Sequence, residues 1–320
     1  MTSIPPLLQD FLNYMGTVKG ASDLTTREYE YDLTGFLRFI VSRFGDNQYA
    51  NDPDANDPPE IFHISPRLIE RVSINDLYAY LAFLDKEKKN TIRTRARKIS
   101  ALRSFYKFLI NKTEQITENP TLKLDTPKQK SRNPVYLTLD ESRRLLEQIR
   151  TIPNEFFMYR DYAIATLFLN CGLRLSELSG IELEDIKEDT ITVIGKGNKE
   201  RVVYLNNACI IAINQYLAVR PKVDGENALF INERKKRFGN RGIQYRIEKH
   251  LEAIGLDTKL YTTHKLRHTA ATLMYKYGEV DIRTLQEILG HESVATTEIY
   301  THVDDEILRD AIKKNPLNNI

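Results

Sequence analysis

The sequence predicts a mainly α-helical chain in two domains, the second carrying one small antiparallel β-hairpin. Three observations predict it. The 320 residues suit about two domains of roughly 150 each. Apolar residues recur at helical spacing over most of the chain. A polar, proline-punctuated stretch then interrupts that periodicity, and a helix start signal opens afresh at Thr138. The first domain is expected over residues 1–115, a linker over 116–135 and the second domain over 136–320.

Leu8, Phe11, Leu12 and Met15 form one apolar helical face. A second helix is expected to open at Thr25, with Glu28 completing a capping box, and to carry Tyr29, Leu33, Phe36, Leu37 and Ile40 before stopping near Gly45. An acidic loop over 45–66 follows, without a Lys or Arg. Its Asp52, Asp54 and Asn56 resemble a calcium loop only superficially. Asp57 stands where that loop needs glycine and His63 where it needs glutamate, which excludes the reading. Helices are expected over Ile74–Lys86 and about Asn90–Asn111. The latter holds Ile92, Ala96, Ile99, Tyr106 and Leu109 at helical spacing, and it contains no acidic residue. Its Arg93, Arg95, Arg97, Lys98, Arg103 and Lys107 make either a solvated face or a surface that touches nucleic-acid phosphates.

The linker is polar, broken by Pro120 and Pro127 and basic at Lys128, Lys130 and Arg132. Thr138-Leu-Asp-Glu141 then makes a second capping box. Ile191–Ile194 and Arg201–Leu205 are β-type runs joined by a Gly195-Lys-Gly-Asn-Lys199 turn. Helices are expected at about 207–219, 241–254, 264–278, 281–289, 293–301 and 304–314.

A net charge of +2 argues for no particular partner. No apolar run approaches the ~20 residues of a membrane span, and the N-terminus lacks the basic and apolar regions of a secretory signal. Cys171 and Cys209 offer neither a disulfide framework nor metal-ligand spacing, so a cytoplasmic, reducing setting is expected.

Polar groups stand out in apolar or tightly turned surroundings. Arg174 and Glu177 are three apart at the start of a helix and share a face. Lys196 is flanked by glycines in the hairpin turn. His264 and Arg267 are also three apart, His291 follows Gly290 at a helix end, and Tyr300 comes nine residues after His291. Singly, each has an ordinary explanation as an ion pair, a solvated lysine, a capping histidine or one tyrosine among 17.

In this order the set resembles the tyrosine recombinase (lambda integrase) family, and within it the Xer-type branch. The family signature is Arg, Lys, His-x-x-Arg, His or Trp, and Tyr. Arg174, Lys196, His264, Arg267, His291 and Tyr300 fill it, within the strings Gly-Leu-Arg-Leu-Ser-Glu-Leu, Ile-Gly-Lys-Gly-Asn-Lys-Glu-Arg, His-Lys-Leu-Arg-His-Thr and Leu-Gly-His-Glu-Ser. The resemblance covers both domains. It implies a SAM-like, core-binding helical bundle followed by an α-rich catalytic domain. The 45–66 loop departs from the pattern, being longer than a compact Xer-type chain needs.

The chemistry suits these residue types. Displacing an alkoxide from a phosphodiester builds negative charge on the non-bridging and leaving oxygens. Arg174 and Arg267 can clamp the former with paired, permanently charged donors. His264 and His291 can donate to the same oxygens or move a proton. Lys196 can protonate the departing 5′-oxygen, Glu177 can orient Arg174 or a histidine, and Tyr300 is the nucleophile. Lys199 and Arg201, on the same hairpin, are read as phosphate contacts, and His268 and His302 as structural. The resemblance implies a 3′-phosphotyrosine intermediate and a free 5′-hydroxyl. No metal site or cofactor is expected, because the sequence offers no carboxylate cluster.

The expected partners are double-stranded DNA and further protomers, in a homo-tetramer or a hetero-tetramer with a related recombinase. A septal DNA translocase or an element-encoded accessory factor fits the two biological roles, chromosome dimer resolution and mobile-element integration or excision. The tail after Tyr300, with Ile307, Leu308 and Ile312, would dock on a neighbouring protomer or on its own domain. The alternatives are a catalytically silent DNA-binding regulator and a type IB topoisomerase-like enzyme. Loss of any one of the six signature residues would favour the silent regulator, and none is lost.

Overall fold

The computed structural model describes residues 4–44, 60–127, 135–195, 197, 199–278, 280–290 and 297. The chain divides into two compact units, Met1–Ser131 and Arg132–Ile320. It is mostly helical, with one two-stranded sheet among the described residues.

The first unit packs α1 (Pro6–Asn13), α2 (Asp23–Phe44), α3 (Pro66–Glu70), α4 (Ile74–Lys86) and α5 (Ile92–Asn111) around one aromatic-rich core. Phe11 stacks on Tyr29 and meets Phe105 edge-on, with ring centroids 6.1 and 5.4 Å apart. Helix α2 starts two residues before the expected Thr25, because Ser22 supplies the cap. Its hydroxyl accepts from the Thr25 backbone N–H. Ser73 caps α4 through a reciprocal box with Asp76, and Thr91 caps α5. Ile92, expected on the apolar face of α5, is 41% exposed, while Ile99, Leu102, Phe105, Tyr106 and Leu109 are buried.

The second unit opens with α6 (Leu139–Ile149), which has the expected capping box between Thr138 and Glu141. Helix α7 (Glu155–Cys171) is its axis, buried almost all round from Ala163 to Leu169, as a helix enclosed on every side must be. A short α8 (Leu175–Gly180) leads to the hairpin β1 (Thr190–Ile194) and β2 (Glu200–Tyr204). The strands are antiparallel, with Val193 opposite Arg201 and Ile191 opposite Val203. Helices α9 (Asn207–Val219), α10 (Asn240–Ala253), α11 (Thr263–Tyr277) and α12 (Ile282–Leu289) complete the unit.

A buried polar knot ties α7 to α10 and α6. The Asp161 carboxylate accepts from Arg160 and Arg246 at 2.9 and 2.7 Å and lies 3.0 Å from His250 Nε2, while His250 Nδ1 lies 3.0 Å from Gln148. Cys171 and Cys209, unconnected in the sequence reading, bring their Sγ atoms to 3.7 Å as buried free thiols.

Candidate active site

The site is built on the end of α12. A helix leaves its last carbonyls without intrahelical partners, and burial makes each of them costly unless it is matched. Gly290 ends α12 in the left-handed conformation (φ 62°), and its N–H serves the Gln286 and Glu287 carbonyls. The next three carbonyls are each taken by a different arginine. Arg201 Nη1 donates to Ile288 at 2.7 Å, Arg267 Nη2 to Leu289 at 2.6 Å and Arg174 Nη2 to Gly290 at 2.8 Å. Cations here also complement the negative end of the helix dipole.

Glu177 joins those arginines from below. Its backbone sits in the first turn of α8, so the carboxylate reaches back to the Arg174 N–H at 2.8 Å, the reciprocal half of a capping box. One oxygen accepts from Arg174 Nη1 at 2.6 Å and the other from Arg201 Nη2 at 2.9 Å; Arg267 Nη1 lies 3.9 Å away. Glu177 is 2% exposed. Burial pushes its carboxyl pKa up, but the bonds and charge supplied by Arg201 and Arg174 outweigh that and hold it below the usual value. One carboxylate among three guanidiniums leaves the cluster net positive. Arg174 is the most open of the three, with a third of its side chain exposed, against 16% for Arg201 and 4% for Arg267.

Arg267 is buried on α11, donating also to the Gly172 carbonyl at 2.7 Å. Gly172 caps α7 at φ 61°, and a Cβ there would meet the Leu289 side chain at 2.8 Å, so glycine permits both the turn and the approach of α12. His264 lies exposed at the start of α11, three residues before Arg267, with its ring edge-on to His268 at 4.7 Å between centroids. Arg174, Glu177 and Arg267 are thus brought together. Lys196, His291, Tyr300 and His302, the tail with Ile307, Leu308 and Ile312, the segments 293–301 and 304–314, the 45–59 part of the acidic loop and the basic linker residues Lys128, Lys130 and Arg132 lie outside the described residues (Thr297 alone in that region is described).

Two residues read as phosphate contacts are bonded inside the protein. Arg201 does not face outward: its guanidinium is committed to Glu177 and Ile288. The signal was in the strand. Arg201 shares its phase with Val203, which is buried, and lies opposite inward-facing Val193. Lys98 is 6% exposed and bonded to buried Asp32 at 2.7 Å. Much of the charge on α5 is answered from elsewhere: Arg97 pairs with Glu28 and Asp32, Arg95 with Asp85, and Arg103 with the Leu124 carbonyl and Thr126. An acid-free helix is therefore not an unpaired one. Arg93, Lys107 and Lys199 are exposed.

Comparison with known proteins gives two family matches. The phage integrase family matches residues 135–306, and the N-terminal SAM-like domain of phage integrases matches residues 60–113. The chain is similar to the tyrosine recombinase XerC of Caldanaerobacter subterraneus subsp. tengcongensis, at 54% identity over 98% of this chain and 88% of the relative. Among solved structures it is similar to the XerH site-specific recombinase bound to a palindromic difH substrate, with a TM-score of 0.70 and 22% identity over 96% of this chain and 94% of that one. The lambda integrase tetramer bound to a Holliday junction matches at TM-score 0.61 and 18% identity, over 90% of this chain and 76% of that one. These two likenesses are of fold. No helix among the described residues is long and apolar enough to cross a membrane.

Proposed function

The chain belongs to the phage integrase family of tyrosine recombinases, on its Xer-type branch, and from that premise we propose that it cuts and rejoins DNA at a specific site through a 3′-phosphotyrosine bond to Tyr300. The observation that carries this reading is the pairing of Arg174 and Arg267 on one buried carboxylate, in a cluster of net positive charge. Arg174, with a third of its side chain exposed, has five N–H donors, so its bonds to Glu177 and to the Gly290 carbonyl leave others for an anion.

In the cleavage step the Tyr300 hydroxyl oxygen attacks the scissile phosphorus, forming the phosphotyrosine bond while the bond to the DNA 5′-oxygen breaks. Arg174 and Arg267 hold the non-bridging oxygens as charge develops on them. His264 and His291 donate to those oxygens or move the tyrosine proton, and Lys196 protonates the departing 5′-oxygen. Rejoining reverses the step, and because the covalent link keeps the phosphoester, no nucleotide is consumed. The 1–115 region serves as the core-binding domain, 116–135 as the linker and 136–320 as the catalytic domain.

Two duplexes must be cut, so four protomers assemble on DNA, of one kind or two. A lambda integrase crystallised as a tetramer on a Holliday junction supports that stoichiometry. The protein works in the cytoplasm, resolving chromosome dimers or moving a genetic element, with a septal DNA translocase or an element-encoded factor as accessory. The test is a nicked suicide duplex bearing a DNA site first recovered by sequencing the DNA covalently trapped on the protein, incubated in chelator without nucleotide. A covalent protein–DNA adduct with a free 5′-hydroxyl is expected. A strict requirement for magnesium or ATP in cleavage would contradict the reading.

A further inference from the structure

Three features of Arg201 set it apart from a surface strand residue. Its Nη1 ties the hairpin to the Ile288 carbonyl of α12, at 2.7 Å. It holds the Glu177 oxygen opposite the one that receives the Arg174 side chain. Its side chain also lies so close to Gly290 that a Cβ there would come within 2.9 Å of Arg201 Cδ. The hairpin adds a second approach to the same carboxylate: a Cβ on Gly195 would stand 3.7 Å from Glu177 Oε1.

These contacts make Arg201 a strut between two supports. Glu177 sets the direction in which Arg174 points, and the α12 carbonyls at 289 and 290 set the planes of both Arg267 and Arg174. Arg201 braces the first support against the second, by one Nη on each. A lysine cannot replace it, because a single ammonium on a flexible stem lacks the rigid fork that spans a carboxylate and a carbonyl together.

We propose that Arg201 is a positioning residue for DNA cleavage, acting through Glu177 and the end of α12 to hold the Arg174 and Arg267 guanidiniums in the geometry that meets the non-bridging phosphate oxygens. The proposal rests on the reading of those two arginines as the phosphate clamp. It assigns Arg201 no contact with DNA.

The experiment compares strand cleavage by the full chain on three substrates: ordinary DNA, DNA with one non-bridging oxygen of the scissile phosphate replaced by methyl, and DNA with the bridging 5′-oxygen replaced by sulfur. The methyl group removes the charge that the clamp neutralises, while sulfur removes the need for a proton donor. Arg201→Lys and Arg201→Gln should cut ordinary DNA about 10²-fold slower, the scale of a small misplacement of catalytic groups. Both should recover most of that loss, relative to the unmodified protein, on the methyl substrate and little of it on the sulfur substrate, in step with Arg174→Ala. If Arg174→Ala recovers on the methyl substrate and neither Arg201 variant does, Arg201 only supports the fold and the proposal is overturned. Recovery of the Arg201 variants on sulfur alone would tie them to the proton donor and overturn it equally. Failure of Arg174→Ala itself to recover would sink the clamp reading, and the proposal with it. Rates are compared below the melting temperature of the least stable variant, so a loss of fold reads separately from a loss of alignment.

Discussion

Arg174 and Arg267 donate to adjacent main-chain carbonyls, those of Gly290 and Leu289, at 2.8 and 2.6 Å. Two guanidiniums from helices far apart in sequence are therefore registered against one turn of backbone, and through it against each other. A helix end is a good gauge for this purpose, since its unpaired carbonyls have fixed spacing and a partial negative charge.

Arg267→Lys tests the geometry. A lysine keeps the charge but serves the Gly172 and Leu289 carbonyls poorly together, leaving one buried acceptor unmatched at a cost of about 1–3 kcal/mol. Cleavage should fall by about 10²–10³-fold, the scale of losing one aligned donor to a developing oxyanion. Single-turnover cleavage and urea denaturation measure the two effects separately. Near-normal cleavage by the lysine variant would show that charge alone suffices.

Glu177→Gln should cost about 3–5 kcal/mol of stability at neutral pH, because it strips the buried counter-charge from Arg174, Arg201 and Arg267. The pH dependence has a definite sign. The carboxyl pKa is lowered in the folded chain, so its contribution is complete above the ordinary glutamate value of 4.5 and is lost as pH falls through the lower folded value. The gap between wild type and variant in urea should accordingly be wide at pH 7 and narrow steadily below about pH 4.5. A gap that widens with acid would mean the carboxylate is not held by its arginines.

Helix α5 separates interface from scaffold. Exposed Arg93, replaced by alanine, should lower the steepness of the log–log dependence of DNA affinity on salt by about 0.9 with no change in melting. Lys98→Ala should do the reverse, destabilising the first unit by about 1–3 kcal/mol through loss of the bond to buried Asp32 while leaving the salt slope alone. Fluorescence anisotropy titrations at several salt concentrations read the slopes. If Arg93→Ala leaves the slope intact, this face of α5 makes no phosphate contact there.

What the sequence disclosed follows from the range of the forces involved. Local signals were legible: the box at Thr138, the hairpin built from two β-type runs and the helical face with Leu8 and Phe11 all depend on residues a few positions apart. The start of α2 was displaced from Thr25 because two candidate caps, Ser22 and Thr25, compete within one turn. The neutralisation of α5 was not legible, since Asp32 lies 66 residues from Lys98 and only packing joins them. The same holds for the arginines on α12. Arg174 is 116 residues from Gly290 and Arg201 is 87 from Ile288, so motif order names some of the members of the cluster but not how it is wired. The inward bonds of Arg201 are hidden for the same reason: a basic residue beside a glycine-rich turn looks solvated, and only the strand phase that it shares with buried Val203 hints at its place.

Covalent attachment of DNA should depend on the Tyr300 hydroxyl. The Tyr300→Phe chain is mixed with a suicide duplex, alongside the unmodified protein, and denaturant-resistant protein–DNA adducts are sought. The unmodified chain should accumulate adduct that maps to the peptide containing Tyr300. The phenylalanine variant should form none while binding the same DNA within a few-fold, because it lacks only the nucleophilic oxygen. An adduct on the phenylalanine variant, or one on the unmodified chain that maps to another residue, would contradict the account.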